Sequence, residues 1–147
     1  MTLFSCGQTD QLTTDEQKAI VESIQQTMNN YYKDIRTSGL TAEFKYLDNS
    51  SDFFWVPPGY SSAISYDSVA AILKQSAPLY KSIDNSFDTL RIIPLSKELA
   101  AYTARLNSIM TDTTGKISKF SLVETGLLIK RQDGWKLLNG QTSILDK

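Results

Sequence analysis

Two groups of side chains in this sequence are of types that do chemistry. Asp52 stands directly before Phe53-Phe54-Trp55. A carboxylate held among aromatic rings loses water, its pKa rises, and it becomes able to act as a base near neutral pH. The competing reading is a turn aspartate in Asn49-Ser50-Ser51-Asp52, hydrogen-bonded to nearby backbone amides. The second group lies in RQDGWKLLNGQTS, residues 131–143, where Asn139, Gln141 and Ser143 alternate along an apolar segment. These side chains donate and accept hydrogen bonds but move no proton near pH 7, so they suit binding better than turnover. The aromatic run through Trp55, with Tyr60 and Tyr66, is material for a stacking wall against a flat ligand, or for a core.

What is missing narrows the chemistry further. The 147 residues contain no histidine and one cysteine, which removes the usual general base, the commonest zinc ligand and any intramolecular disulfide. No metal site and no cofactor is expected. A formal net charge of -1 with no basic run gives no electrostatic case for nucleic acid. Hydrophobic content of 41% and charged content of 21% are those of an ordinary globular domain, and the length is sufficient for one core without staples.

The single cysteine sits in Leu3-Phe4-Ser5-Cys6-Gly7, which has the form of the end of a bacterial lipoprotein signal. Only five residues precede Cys6, so a full signal requires a start upstream. The alternative is a chance cysteine in a flexible N-terminus. The expected organisation is a tether over residues 1–13 and one folded domain over 14–147. Any membrane association is expected through a lipid on Cys6. That anchor places the chain in a bacterial cell envelope, and its absence in the cytoplasm.

The elements that must position these groups follow from periodicity. Thr14-Asp15-Glu16-Gln17 has the form of a capping box. Ile20, Ile24, Met28, Tyr31 and Ile35 then recur at steps of three and four, predicting a long helix that Ser38-Gly39 ends. Phe53 to Val56 is a short strand stopped by Pro57-Pro58-Gly59, and Ser62 to Tyr66 forms a brief second one. Asp67 or Ser68 caps a shorter helix with Val69, Ile72, Leu73 and Leu79 on its buried side. Strands follow over 87–95, 99–111, 117–130 and 135–144, joined by the turns Asp112-Thr113-Thr114-Gly115 and Gln132-Asp133-Gly134. Pro94 confines its strand to an edge or a bulge. Helices at one end of the chain and a meander at the other give the α+β class. Strict alternation puts Trp135, Leu137, Asn139, Gln141 and Ser143 on one face of the last strand. That face lines a hollow floored by Trp135, or else it is a plain surface. Lys97, Glu98 and the Lys130-Arg131 pair read as solvated edges.

Four features together resemble the NTF2-like superfamily: the long first helix, Asp52-Phe53-Phe54-Trp55-Val56-Pro57-Pro58-Gly59, the helix after Asp67, and Lys130-Arg131-Gln132-Asp133-Gly134-Trp135-Lys136-Leu137. That superfamily includes ketosteroid isomerase and SnoaL-type polyketide cyclases. The resemblance covers roughly residues 14 to 145. It implies a cystatin-like cone in which the long helix packs on a curved antiparallel sheet around a pocket, and a homodimer through the sheet. Many relatives carry a histidine six positions after the tryptophan; here that position is Gln141. Ser143 stands where relatives often have serine. The implied function is a non-enzymatic, pocket-bearing binding or accessory domain for a small apolar or amphipathic molecule. The alternative is an isomerase- or cyclase-type acid–base enzyme using Asp52. Tyr102 and Glu124 would then take the parts of the tyrosine and the protonated acid of ketosteroid isomerase. Arg105 falls on the strand face opposite Tyr102.

Overall fold

The computed structural model describes residues 11–145. The first helix, α1, spans Thr14–Ser38 and begins one residue earlier than its capping pattern suggested. Thr13, not Thr14, is the N-cap: its hydroxyl accepts from the Glu16 amide, and the Glu16 carboxylate accepts from the Thr13 amide. Ile24, Met28, Tyr31, Tyr32 and Ile35 are buried along one side. Each such side chain contributes roughly 1.5–3 kcal/mol on burial, against about 1 kcal/mol for the cap, so packing rather than capping holds the helix. Gly39, at φ 84°, then turns the chain out of α1.

The chain next makes a 3-10 helix, Leu40–Lys45, and a three-residue strand β1, Phe54–Val56. Helix α2 spans Tyr66–Ser76 and is capped by the Ser65 hydroxyl rather than by Asp67 or Ser68. The brief second strand expected before α2 reduces to one bridge between Trp55 and Ile64. Leu79, expected on the buried side, lies past the end of α2 and is exposed.

Four long strands complete the chain: β2 (Tyr80–Pro94), β3 (Leu99–Asp112), β4 (Ile117–Arg131) and β5 (Gly134–Ile144). They form an antiparallel meander in the spatial order β1-β5-β4-β3-β2, and β1 runs parallel to β5, so the curved sheet is mixed. β2 starts seven residues before its sequence signal at Phe87, because Lys81, Asp84 and Ser86 project from an edge strand with a solvated face. Pro94 ends that edge strand, where its missing N–H breaks no ladder. On β3 the alternation is clean. Ala100, Tyr102, Ala104, Leu106 and Ser108 are buried beneath α1, while Thr103, Arg105 and Asn107 are exposed.

The last strand departs from simple alternation. Leu128 faces Leu137, but its neighbour Leu127 faces Asn139, so Leu138 is an extra residue in β5. Such a bulge shifts the side-chain phase by one. Trp135 and Leu137 point inward before it; after it the inward positions are Gly140 and Thr142, opposite Gly126 and Glu124.

Candidate functional site

Between α1 and the sheet lies a cavity of about 180 Å³. α1 contributes Tyr31 and Tyr32, the 3-10 helix Glu43, β1 Trp55, β4 Glu124 and β5 Thr142. Leu106, Leu122, Leu137 and Val69 supply much of the apolar wall. The site is thus assembled from almost every element, and its polar groups come from α1, the 3-10 helix, β1, β2, β4 and β5.

A chain of three hydrogen bonds and one separate bond organise the polar wall. Tyr102, wholly enclosed on β3, donates to Glu124 Oε1 at 2.6 Å. The Thr142 hydroxyl donates to Glu124 Oε2 at 3.1 Å and accepts from the Trp55 indole at 3.0 Å. Separately, Tyr31 donates to Glu43 Oε2 at 3.0 Å. Rings pack behind these groups: Tyr31 lies 4.7 Å from Tyr32 and 5.2 Å from Tyr46, and Tyr32 lies 4.9 Å from Phe87. Two polar atoms on the wall, Tyr32 Oη and Asn85 Oδ1, are buried without a hydrogen-bond partner among the described residues.

Trp55 reaches the site because Gly140 makes room for it. Gly126 and Gly140 face each other across β4 and β5. A Cβ on Gly140 would stand 2.8 Å from the Trp55 ring and would also meet the Thr125 carbonyl oxygen. The indole therefore lies flat against bare backbone, which aims its N–H at Thr142.

The two carboxyls differ in how they are held. Burial pushes the Glu43 carboxyl up to about 7, against the opposing Tyr31 hydrogen bond and with help from the charge of Glu124. Burial also raises Glu124, opposed by its bonds from Tyr102 and Thr142. Glu124 has both oxygens occupied, whereas Glu43 accepts from Tyr31 alone among the described residues. Burial raises the Tyr31, Tyr32 and Tyr102 phenols well above their ordinary range, so they stay protonated as donors. Among the described residues, no group of three or more carboxylate, thiol or imidazole side chains is placed to hold a metal ion.

Residues 24–147 match the SnoaL-like domain. The chain belongs to the SnoaL-like domain family. Solved structures of the NTF2-like superfamily share its fold. An NTF2-like superfamily protein from Salmonella enterica serovar Typhimurium superposes with a TM-score of 0.71 at 15% identity, over 92% of this chain and 95% of its own. A candidate scytalone dehydratase from Novosphingobium aromaticivorans gives 0.78 at 12%, over 91% and 89%. A hexachlorocyclohexane dehydrochlorinase, LinA Type2, gives 0.71 at 12%, over 91% and 90%. No curated protein matches the sequence.

Within this SnoaL-like fold the residues singled out from sequence separate. Trp55 lines the cavity, and Tyr102 stands behind it through Glu124. Asp52 does not join them: it is exposed in the turn before Phe53, its amide donating to the Ser50 hydroxyl. Tyr60 is exposed beyond Pro57-Pro58. Trp135 is buried in the core away from the cavity, its indole N–H without a partner among the described residues. The bulge at Leu138 turns Asn139, Gln141 and Ser143 to the outer face, where Gln141 and Ser143 are exposed. Cys6 lies outside the described residues. Arg131, read as a solvated edge, instead clamps the buried Asp48 through Nε and Nη2 at 2.7 and 2.8 Å.

Glu43, Tyr32, Asn85 and Thr142 were missed. For Thr142 a signal existed: the doublet Leu137-Leu138 interrupts alternation, and a bulge there shifts the phase onto Gly140 and Thr142. Glu43 lies in Leu40–Lys45, where no period is readable, and Asn85 in the polar start of β2.

Proposed function

We propose that this SnoaL-like domain binds a compact, partly polar small molecule in the cavity between α1 and the sheet. The observation that carries the reading is that two lining residues, Tyr32 and Asn85, each hold a buried polar atom, Oη and Oδ1, without a hydrogen-bond partner among the described residues. Leaving such groups unmet costs about 1–3 kcal/mol each, and a ligand that meets them recovers it. Size bounds the ligand. A cavity of about 150 Å³ holds benzene, and drug-sized ligands take roughly 300–1,000 Å³, so about 180 Å³ suits a one-ring molecule and is too small for a steroid. The test is thermal: a one-ring compound at a hundred times its Kd adds about 2.7 kcal/mol of stability. Val69→Phe, which fills the cavity from α2, should abolish that gain.

A second reading, proton transfer, is favoured by one observation. Glu43 titrates near 7 with one oxygen uncommitted, which is the condition for a general base or acid at neutral pH. The names of two fold neighbours, a dehydratase and a dehydrochlorinase, point toward elimination chemistry. On this reading Glu43 takes the role first considered for Asp52, and Tyr102 fixes Glu124 opposite it. Turnover lost in Glu43→Gln with binding retained would support it.

The same proposal includes pairing of two copies through the outer sheet face, which the exposed Phe54 on β1 supports. Sedimentation at micromolar concentration tests it. Anchoring through Cys6 is tested by mass spectrometry of the native protein for a lipid.

A further inference from the structure

The chemistry of the cavity wall says more about the ligand than its size. The residues that line the space include two carboxyls, Glu43 and Glu124, together with the Asn85 amide and the Tyr32 hydroxyl, all of which can accept a hydrogen bond. Tyr32 is 5% exposed and its hydroxyl has no partner among the described residues; Asn85 Oδ1 is likewise unmet. Among the described residues, no lysine or arginine stands on the wall to balance the carboxyls. Around them are the rings of Tyr31, Tyr32, Phe53 and Trp55, whose faces attract cations.

We infer that the ligand is a small organic ammonium ion, a primary amine on a single ring or a chain of similar bulk. An ammonium head offers three donors and no acceptor, the complement of this wall. An anion would meet two carboxyls and no counter-charge. A neutral alcohol offers one donor and leaves most of the acceptors unmet. The rings that enclose the space add cation–π attraction, which is strongest where water is excluded. The inference rests on the proposed binding in this cavity and sharpens it to a charge class.

Ionisation follows the same logic. Burial and the neighbouring charge of Glu124 keep Glu43 partly protonated at neutral pH when no cation is present. A bound ammonium opposes both effects, so the amine draws a proton off the wall as it enters. The groups that face Glu43 are Tyr31 and Tyr32 from α1, Glu124 from β4 with Tyr102 behind it on β3, and Thr142 from β5. α2 contributes Val69 to the wall and sets its own Lys74 over the Phe44 ring. None of these phenols titrates below pH 10, so the carboxyls alone set the pH response.

The experiment is a titration at about pH 7, where Glu43 is half protonated, with three one-ring probes, benzylammonium, benzyl alcohol and benzoate. It is followed by calorimetry in buffers of different ionisation enthalpy and by the indole and amide NMR signals of Trp55 and Thr142. The inference expects benzylammonium to bind at least tenfold tighter than benzyl alcohol, benzoate not to bind, and protons to be released. Lowering the pH below about 7 should weaken the ammonium alone. Glu43→Gln should cost the ammonium tenfold or more and leave the alcohol within threefold. Tyr32→Phe, which removes the unmet hydroxyl, should cost the ammonium several-fold while the melting temperature of the free protein rises. If alcohol or benzoate binds as tightly as the ammonium, the charge class is wrong and the binding site stands. If none of the three moves the Trp55 and Thr142 signals, the inference and the binding site both fall.

Discussion

The Tyr102 hydroxyl lies 2.6 Å from Glu124 Oε1, across the β3–β4 ladder in which Ala104 is the direct partner of Glu124. The pair is diagonal on the buried face, and Thr142 takes the other carboxylate oxygen. Tyr102→Phe removes a buried donor and leaves Glu124 Oε1 unmet. The expected cost is about 1–3 kcal/mol in the denaturant midpoint. Because that hydrogen bond lowers Glu124, its loss should push the Glu124 carboxyl further up, seen as a displaced titration of its side-chain carbon signal.

Gly140→Ala tests whether bare backbone positions the indole. A methyl there would run into the Thr125 carbonyl oxygen and stand 2.8 Å from the Trp55 ring, so β4 must shift locally and the ring must leave its seat, and the Thr142 bond with it. Overpacking of this kind costs about 1–3 kcal/mol. Trp55 emission should shift red, while Trp135, buried elsewhere, should not change.

Glu43 makes stability fall with rising pH. Its folded pKa, about 7, stands above the ordinary 4.5, so between those values the folded state holds the proton more often than the unfolded state. The contribution is complete below about 4.5 and is lost as pH rises toward and through 7. The slope is at most about 1.4 kcal/mol per pH unit. Glu43→Gln should flatten it in urea titrations across that window.

Arg131 and Asp48 act in the opposite sense. The guanidinium holds the Asp48 carboxyl below its usual range, so this stability is present above about 3.8 and is lost as pH falls below it. Arg131→Met leaves a buried carboxylate with only Ser50 as side-chain donor among the described residues. An expected loss of about 2–3 kcal/mol at pH 7 is read from thermal unfolding.

Much of the frame is legible in the sequence. The Ile24-Met28-Tyr31-Ile35 stripe has one period throughout, and the Ala100 to Leu106 alternation continues unbroken along β3. The Asp133-Gly134 turn fixes the last hairpin. The wall of the cavity was less legible, because its composition depends on local irregularities. A single extra residue, Leu138, exchanged Asn139, Gln141 and Ser143 for Gly140 and Thr142. Asp52 carried the right chemistry but sits in a turn that burial never reaches. The carboxyl that is partly buried against the cavity, Glu43, comes from a 3-10 turn with no periodic signature. Asn85 and Tyr32 become neighbours of one cavity only after more than fifty residues of chain have folded between them.

The most direct test of ligand binding in this cavity is the Trp55 indole N–H signal during titration with one-ring compounds of positive, neutral and negative charge. At least one compound should move it saturably together with the Glu43 and Thr142 amides, and Val69→Phe should abolish the response. A signal that no compound moves, with the melting temperature equally unmoved, would contradict it.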